Sequence, residues 1–162
     1  MPMKTVHDIP AGVTFDVRWA TTPGKGIEIG FVNSDGSTRF DLGTLIIQPV
    51  GNGSIFVMAE NIQAGDGWGP FLVDVAMEYV TAAGKKLYPH PLGILPVAKR
   101  MWKVYYNDRV DVIHFPLSDE EIAYLHIQHS EPELRCAYQK AGSPIIGHLI
   151  AIGIWNDEIG RV

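Results

Sequence analysis

The residues with the clearest chemical potential lie in one stretch, "ENIQAGDGWGPFLVDVAMEYVTAAG", residues 60 to 84. Glu60 ends an apolar run and can serve as a carboxylate base. Gly65, Gly67 and Gly69 follow at alternate positions, and Pro70 then opens an amphipathic segment. A glycine turn running into a helix aims several N–H groups at one spot. The helix N-terminus adds a partial positive charge there, which suits a phosphate or another anion. The spacing is not that of a P-loop, which ends in Gly-Lys-Ser/Thr. It is not the G-x-G-x-x-G of a dinucleotide fold either. Two readings therefore stand: a tight structural turn, or a loop presenting bare amides to a ligand. Trp68 inside the turn is either a plug or a contact surface.

Other constellations point less far. His126 and His129 sit at i, i+3 on a third helix, but no carboxylate motif completes a metal site, so no metal is expected. Cys136 and His148 carry no local nucleophile signature, and a buried apolar cysteine is the expectation. Ser34 and Ser54 fall in turns without a nucleophile-elbow pattern.

The elements that must position these residues follow from periodicity. "GVTFDVRWA" alternates Val13, Phe15, Val17 and Trp19 with Thr14, Asp16 and Arg18, the period of a half-buried strand. "GIEIGFVN", "STRFDLGTLIIQPV" and "SIFVMAENI" complete a four-strand antiparallel meander, with turns at Asp35-Gly36 and Asn52-Gly53. From Pro70 the period changes. Leu72, Val75, Ala76, Tyr79, Val80 and Ala83 share one helical face, Asp74, Glu78 and Thr81 lie elsewhere on the wheel, and Gly84 is a left-handed stop. "KKLYPH" reads as a strand, Pro96 opens a second helix, and "DVIHFPL" reads as a further strand. Ser118 to Glu121 form a capping box opening a helix through about residue 129, and "SPIIGHLIAIG" offers a short final helix. The order predicts an α+β fold with a mixed, mostly antiparallel sheet flanked by helices. It is one domain over 1–162, with a core over about 13–113 and a helical C-terminal extension over 118–162.

Composition bounds the function. The chain has 162 residues, 46% hydrophobic and 19% charged, with a formal charge of −5 and no cluster of Lys and Arg. Nucleic acid is not an expected partner. No apolar run approaches ~18 residues, so no membrane span is expected. The start, "MPMKTVHDIPAG", lacks the apolar core of a signal peptide, so export by that route is not expected. The single cysteine excludes an internal disulfide.

The meander, the fourth strand "SIFVMAEN", the glycine loop and the helix ending "EYVTAAG" together resemble the GNAT family of acyl-CoA N-acyltransferases. "KKLYPH" and "LPVAKRMWKVYYNDRVDV" extend the likeness, which spans roughly residues 13 to 113. "GPFLVDVAMEYVTAAGKKLYPH" and "ELRCAYQKAG" are also similar to a GNAT-like group encoded by tailed phages. The resemblance implies a GNAT-like sheet and acetyl-CoA or another acyl-CoA as cofactor. It implies that Gly65, Gly67, Trp68 and Gly69 contact the pyrophosphate, and that the splayed fourth strand at Ala59 holds the pantetheine. It further implies an amine acceptor, Glu60 as base, and a tyrosine that protonates the leaving thiolate. Trp102 stands where the family has that tyrosine, and Tyr105, within the next turn, is either its substitute or a packed aromatic.

The residues also depart from that pattern. Ala64 replaces the Arg or Gln expected three positions before Gly67, and His90-Pro91 replaces the phage group's aspartate–arginine pair. Asp66 sets a carboxylate inside the loop, Pro70 removes an N–H, and no Lys or Arg occurs from Phe40 to Gly84. A second expectation therefore stands beside the enzyme: a catalytically silent GNAT-fold phage protein, serving as a virion component or host-binding module among other phage structural proteins. The location expected is the cytoplasm, that of the host cell for a phage gene, or the virion.

Overall fold

The computed structural model describes residues 3–21, 26–51 and 53–160. Asn52, half of the Asn52-Gly53 turn, lies outside them. Four strands form the meander: β1 (Val13–Trp19), β2 (Ile27–Asn33), β3 (Gly43–Pro49) and β4 (Phe56–Ala64). Helix α1 (Trp68–Ala82), β5 (Lys86–Pro89), α2 (Pro96–Asn107) and β6 (Val112–Pro116) follow. The chain continues with α3 (Asp119–Tyr124), β7 (Cys136–Lys140), α4 (Pro144–Ala151) and β8 (Trp155–Asp157). The described residues thus form an α+β fold with one mixed, mostly antiparallel sheet in the order β6-β7-β5-β4-β3-β2-β1-β8. Among the described residues only the pairs β4–β5 and β1–β8 are parallel.

The alternating pattern of the meander places Phe15, Val17, Ile27, Ile29, Phe31, Leu45 and Ile47 on the face that packs against α1. Trp19 departs from it: at the end of β1 it is 65% exposed rather than buried. At the Asp35-Gly36 turn, Gly36 takes φ +89° and its N–H reaches the carbonyl of Asn33, as the sequence predicts. On the opposite face Phe56, Tyr88 and Ala137 form a smaller cluster, closed by Leu125 and Ile127 beyond α3. No helix among the described residues is long and apolar enough to cross a membrane.

Three further features differ from the sequence expectation. Residues 118–162 are not a helical extension, because β7 lies inside the sheet between β5 and β6, and β8 joins the far edge beside β1. "CAYQK" is buried on both faces except at Gln139, so it shows no alternation to betray a strand. Helix α3 has its capping box, with the Glu121 N–H reaching Ser118 Oγ at 3.1 Å and the Ser118 N–H reaching Glu121 Oε1 at 2.9 Å. It nevertheless stops at Tyr124, and His126 follows at φ +58°. His126 and His129 are therefore not on a helix, and His129 Nε2 lies 2.9 Å from the carbonyl of His90. The third difference is α1 itself, in which every residue from Phe71 to Val80 is buried, Asp74 and Glu78 included. Helix α4 and strand β7 cover the side of α1 that the wheel assigns to solvent.

Candidate functional site

Strand β4 carries a register break that sets up the site. Ile47 pairs with Ala59 and Ile46 with Asn61, so Glu60 is the extra residue of a bulge. A bulge bends its strand and re-aims its side chains. On the other side β4 pairs with β5 only as far as Ala59 and Pro89, yet it runs on to Ala64. The two strands part there, with Ala59 buried at the fork and Glu60 half-buried just past it.

The glycine turn then enters α1, and each glycine has its own reason. Gly65 passes so close to the 41–42 backbone that a Cβ would run into the Asp41 carbonyl oxygen, and its N–H donates to the Leu42 carbonyl at 3.0 Å. Gly67 is the N-cap of α1 at φ +83°, a conformation that favours glycine. Gly69, the second helical residue, meets nothing within 4 Å where a Cβ would stand. Geometry therefore demands two of the three glycines and leaves the third beside open space. The Trp68 N–H is taken by the Gly65 carbonyl at 3.1 Å, whereas the N–H groups of Asp66, Gly67 and Gly69 have no backbone acceptor among the described residues. The Trp68 ring is the plug rather than a surface: it is buried against Phe31 and Phe71 with centroids 4.9 and 5.2 Å away. Gly65→Ala should cost about 1–3 kcal/mol by forcing the two backbones apart, measured by urea unfolding.

A segment that the sequence does not connect to the loop lies beside it. The backbone N–H of Lys4 donates to the Gly67 carbonyl at 3.0 Å, which ties the N-terminal segment to the turn. No sequence signal links positions 4 and 67, since the contact is purely tertiary.

Tyr105 and Glu60 do not meet in a hydrogen bond among the described residues. Tyr105 is 1% exposed, and its hydroxyl donates to Asp74 Oδ1 at 2.7 Å and lies 3.1 Å from the Pro70 carbonyl, beside the first turn of α1. Burial first, and then the Asp74 charge, push its pKa well above the usual phenol range. Trp102 is buried between Tyr105 and Tyr138.

Below Tyr105 lies a polar network that the sequence gives no sign of. Arg109 Nη2 donates to Asp74 Oδ2 at 3.1 Å, and its Nε and Nη2 hold both oxygens of Asp111 at 2.8 and 2.7 Å. Lys140 Nζ donates to Glu78 Oε2 at 2.8 Å and lies 3.5 Å from Asp111 Oδ2. Glu78 also accepts the N–H groups of Ile145 and Ile146 at 3.1 and 2.9 Å. It thereby caps α4, whose own N-cap Ser143 makes no side-chain cap bond.

The hydrogen bonds from Arg109 hold the Asp111 carboxyl down to about 2. A carboxylate depressed in the folded state stabilises it fully above the unfolded value of about 4, and that share is lost as pH falls toward 2. Asp111→Asn should therefore flatten the acid limb of the stability curve between about pH 4 and 2, measured by urea unfolding across that range.

No protein-family model, curated protein or solved structure matches this chain.

Proposed function

We propose that the chain is a GNAT-like N-acyltransferase that moves an acyl group from acetyl-CoA or another acyl-CoA to an amine. One observation carries the reading: β4 leaves β5 at the Glu60 bulge and enters, within five residues, a turn whose Gly69 faces open space. The amides of Gly67 and Gly69, which have no backbone acceptor among the described residues, and the α1 N-terminus fit an anionic cofactor tail. Asp66, Pro70 and the committed amide of Trp68 oppose it, so the fit is partial. Bound acyl-CoA supplies the electrophilic thioester carbonyl. Glu60 takes a proton from the acceptor amine as the new C–N bond forms, and the departing thiolate takes a proton from solvent water as C–S breaks.

Gly69→Ala tests the reading directly. Alanine in an open helical position should raise stability by about 0.5–1 kcal/mol. If the bare backbone serves a ligand, the same change should weaken acyl-CoA binding, read as a smaller thermal shift at saturating cofactor. A wild-type chain with no thermal shift at millimolar acetyl-CoA would defeat the proposal.

A second reading is favoured by Tyr105, whose hydroxyl is committed to Asp74 and shut away from solvent. On that reading the chain is a catalytically silent GNAT-fold protein of a tailed phage, in the virion or binding the host. Presence in purified particles supports it and absence counts against it. The enzyme reading goes with the cytoplasm, that of the host cell for a phage gene.

A further inference from the structure

At the C-terminal end of α1 a pocket of about 210 Å³ lies between that helix, the start of α4 and β8. It is separate from the glycine turn, which is the length of α1 away, about 20 Å for a helix of this size. Its walls include Tyr79, Ala83, Ser143, Ile146, Trp155 and Asp157. Drug-sized sites run to roughly 300–1,000 Å³, so this volume suits a single small group.

Three features of the pocket favour a cation. Asp157 brings a carboxylate: its Oδ1 accepts the Tyr79 hydroxyl at 3.2 Å and the N–H groups of Ile159 and Gly160 at 3.0 and 2.8 Å. Its Oδ2 has no hydrogen-bond donor among the described residues. The end of α1 carries the negative pole of a 15-residue helix, with no basic residue in its last turn to offset it. Tyr79 and Trp155, with centroids 6.2 Å apart and ring planes tilted by 53°, supply the aromatic surface on which a cation is attracted to the ring quadrupole. The positive pole of α4, which also borders the pocket, is answered elsewhere: Glu78 accepts its first-turn amides.

We propose that this pocket is a binding site for a small organic cation, an alkylammonium or guanidinium group. Asp157 supplies the counter-charge, and the rings of Tyr79 and Trp155 supply the soft contact. The site does not depend on the transferase reading, since none of its residues belongs to the glycine turn.

Titration with choline, followed by the Trp155 indole N–H resonance, tests it, with sodium chloride matched for ionic strength. A saturable shift is expected with choline and not with its neutral carbon isostere 3,3-dimethylbutan-1-ol. Asp157→Asn retains an oxygen for the three donors and removes the charge, so affinity should fall about tenfold or more. Ala83→Leu occupies the pocket without touching the charge and should abolish the shift, which keeps the test decisive if the first variant folds poorly. Arg161, outside the described residues, is another source of the same chemistry. Arg161→Ala should leave choline affinity unchanged if the site serves a solution cation, or raise it if the arginine competes. Equal binding of the neutral alcohol, undiminished binding by Asp157→Asn or Ala83→Leu, or no saturable shift at up to about 0.1 M choline would overturn the proposal.

Discussion

Glu78→Ala is expected to destabilise the protein by about 3–5 kcal/mol, the cost of breaking a buried ion pair from one side. Glu78 is fully buried and accepts three donors at once, Lys140 Nζ and the amides of Ile145 and Ile146. Its removal leaves Lys140, whose side chain is 2% exposed, with only Asp111 at 3.5 Å and Asp74 at 4.0 Å. It also uncaps α4, a loss of about 1 kcal/mol on its own. Glu78→Gln should cost less, because its carbonyl oxygen still serves an α4 amide. Adding Lys140→Met to Glu78→Ala should recover part of the loss, since it removes the buried ammonium that the first change leaves uncompensated. Urea unfolding of the two single variants and the double variant measures the coupling. A loss below about 1 kcal/mol for Glu78→Ala would mean that water, not Lys140 and α4, satisfies this carboxylate.

Glu60→Gln should slow acyl transfer by about 10²–10⁴-fold, the usual contribution of a positioned base. Affinity for acyl-CoA should hardly change, because the residue meets the acceptor amine and not the cofactor tail. Stability should move by no more than about 0.5 kcal/mol: Glu60 is half-buried at the bulge and makes no side-chain hydrogen bond among the described residues. That separation of rate from binding and folding is what a base predicts and what a merely structural glutamate does not. Single-turnover kinetics with a panel of primary amines, at matched cofactor occupancy, is the measurement. Unchanged turnover would remove Glu60 from the mechanism.

The parts of the molecule legible in the sequence are those whose partners are local. The alternation of Val13, Phe15 and Val17 marks a strand because one face meets α1 and the other does not. Gly84 stops α1 at φ +74°, with its N–H on the Thr81 carbonyl, as the pattern predicts. Asp74 and Glu78 read as a polar helix face because Arg109 and Lys140, which neutralise them, lie 35 and 62 residues downstream. A helical wheel has no means of seeing either partner. The glycine junction was legible as a feature but not in its causes. Only coordinates distinguish Gly65, held by the Asp41 carbonyl, and Gly67, held by its dihedral, from Gly69, which neither explains. Lys4 at that loop and the β7 insertion were hidden for the same reason.

The place of β7 has a consequence for how this chain is made. A nascent polypeptide leaving the ribosome can pair β1 through β4 early, but β6 has no neighbour in the sheet until residues 136–140 emerge. Until then Glu78 also lacks its ammonium partner, so the central helix cannot be sealed in its final environment. Synthesis and folding are thus coupled across a long interval: helix α1 waits for residues 136–140 before its buried carboxylate is matched, and a product terminated before Lys140 is left with that carboxylate unpaired in its core.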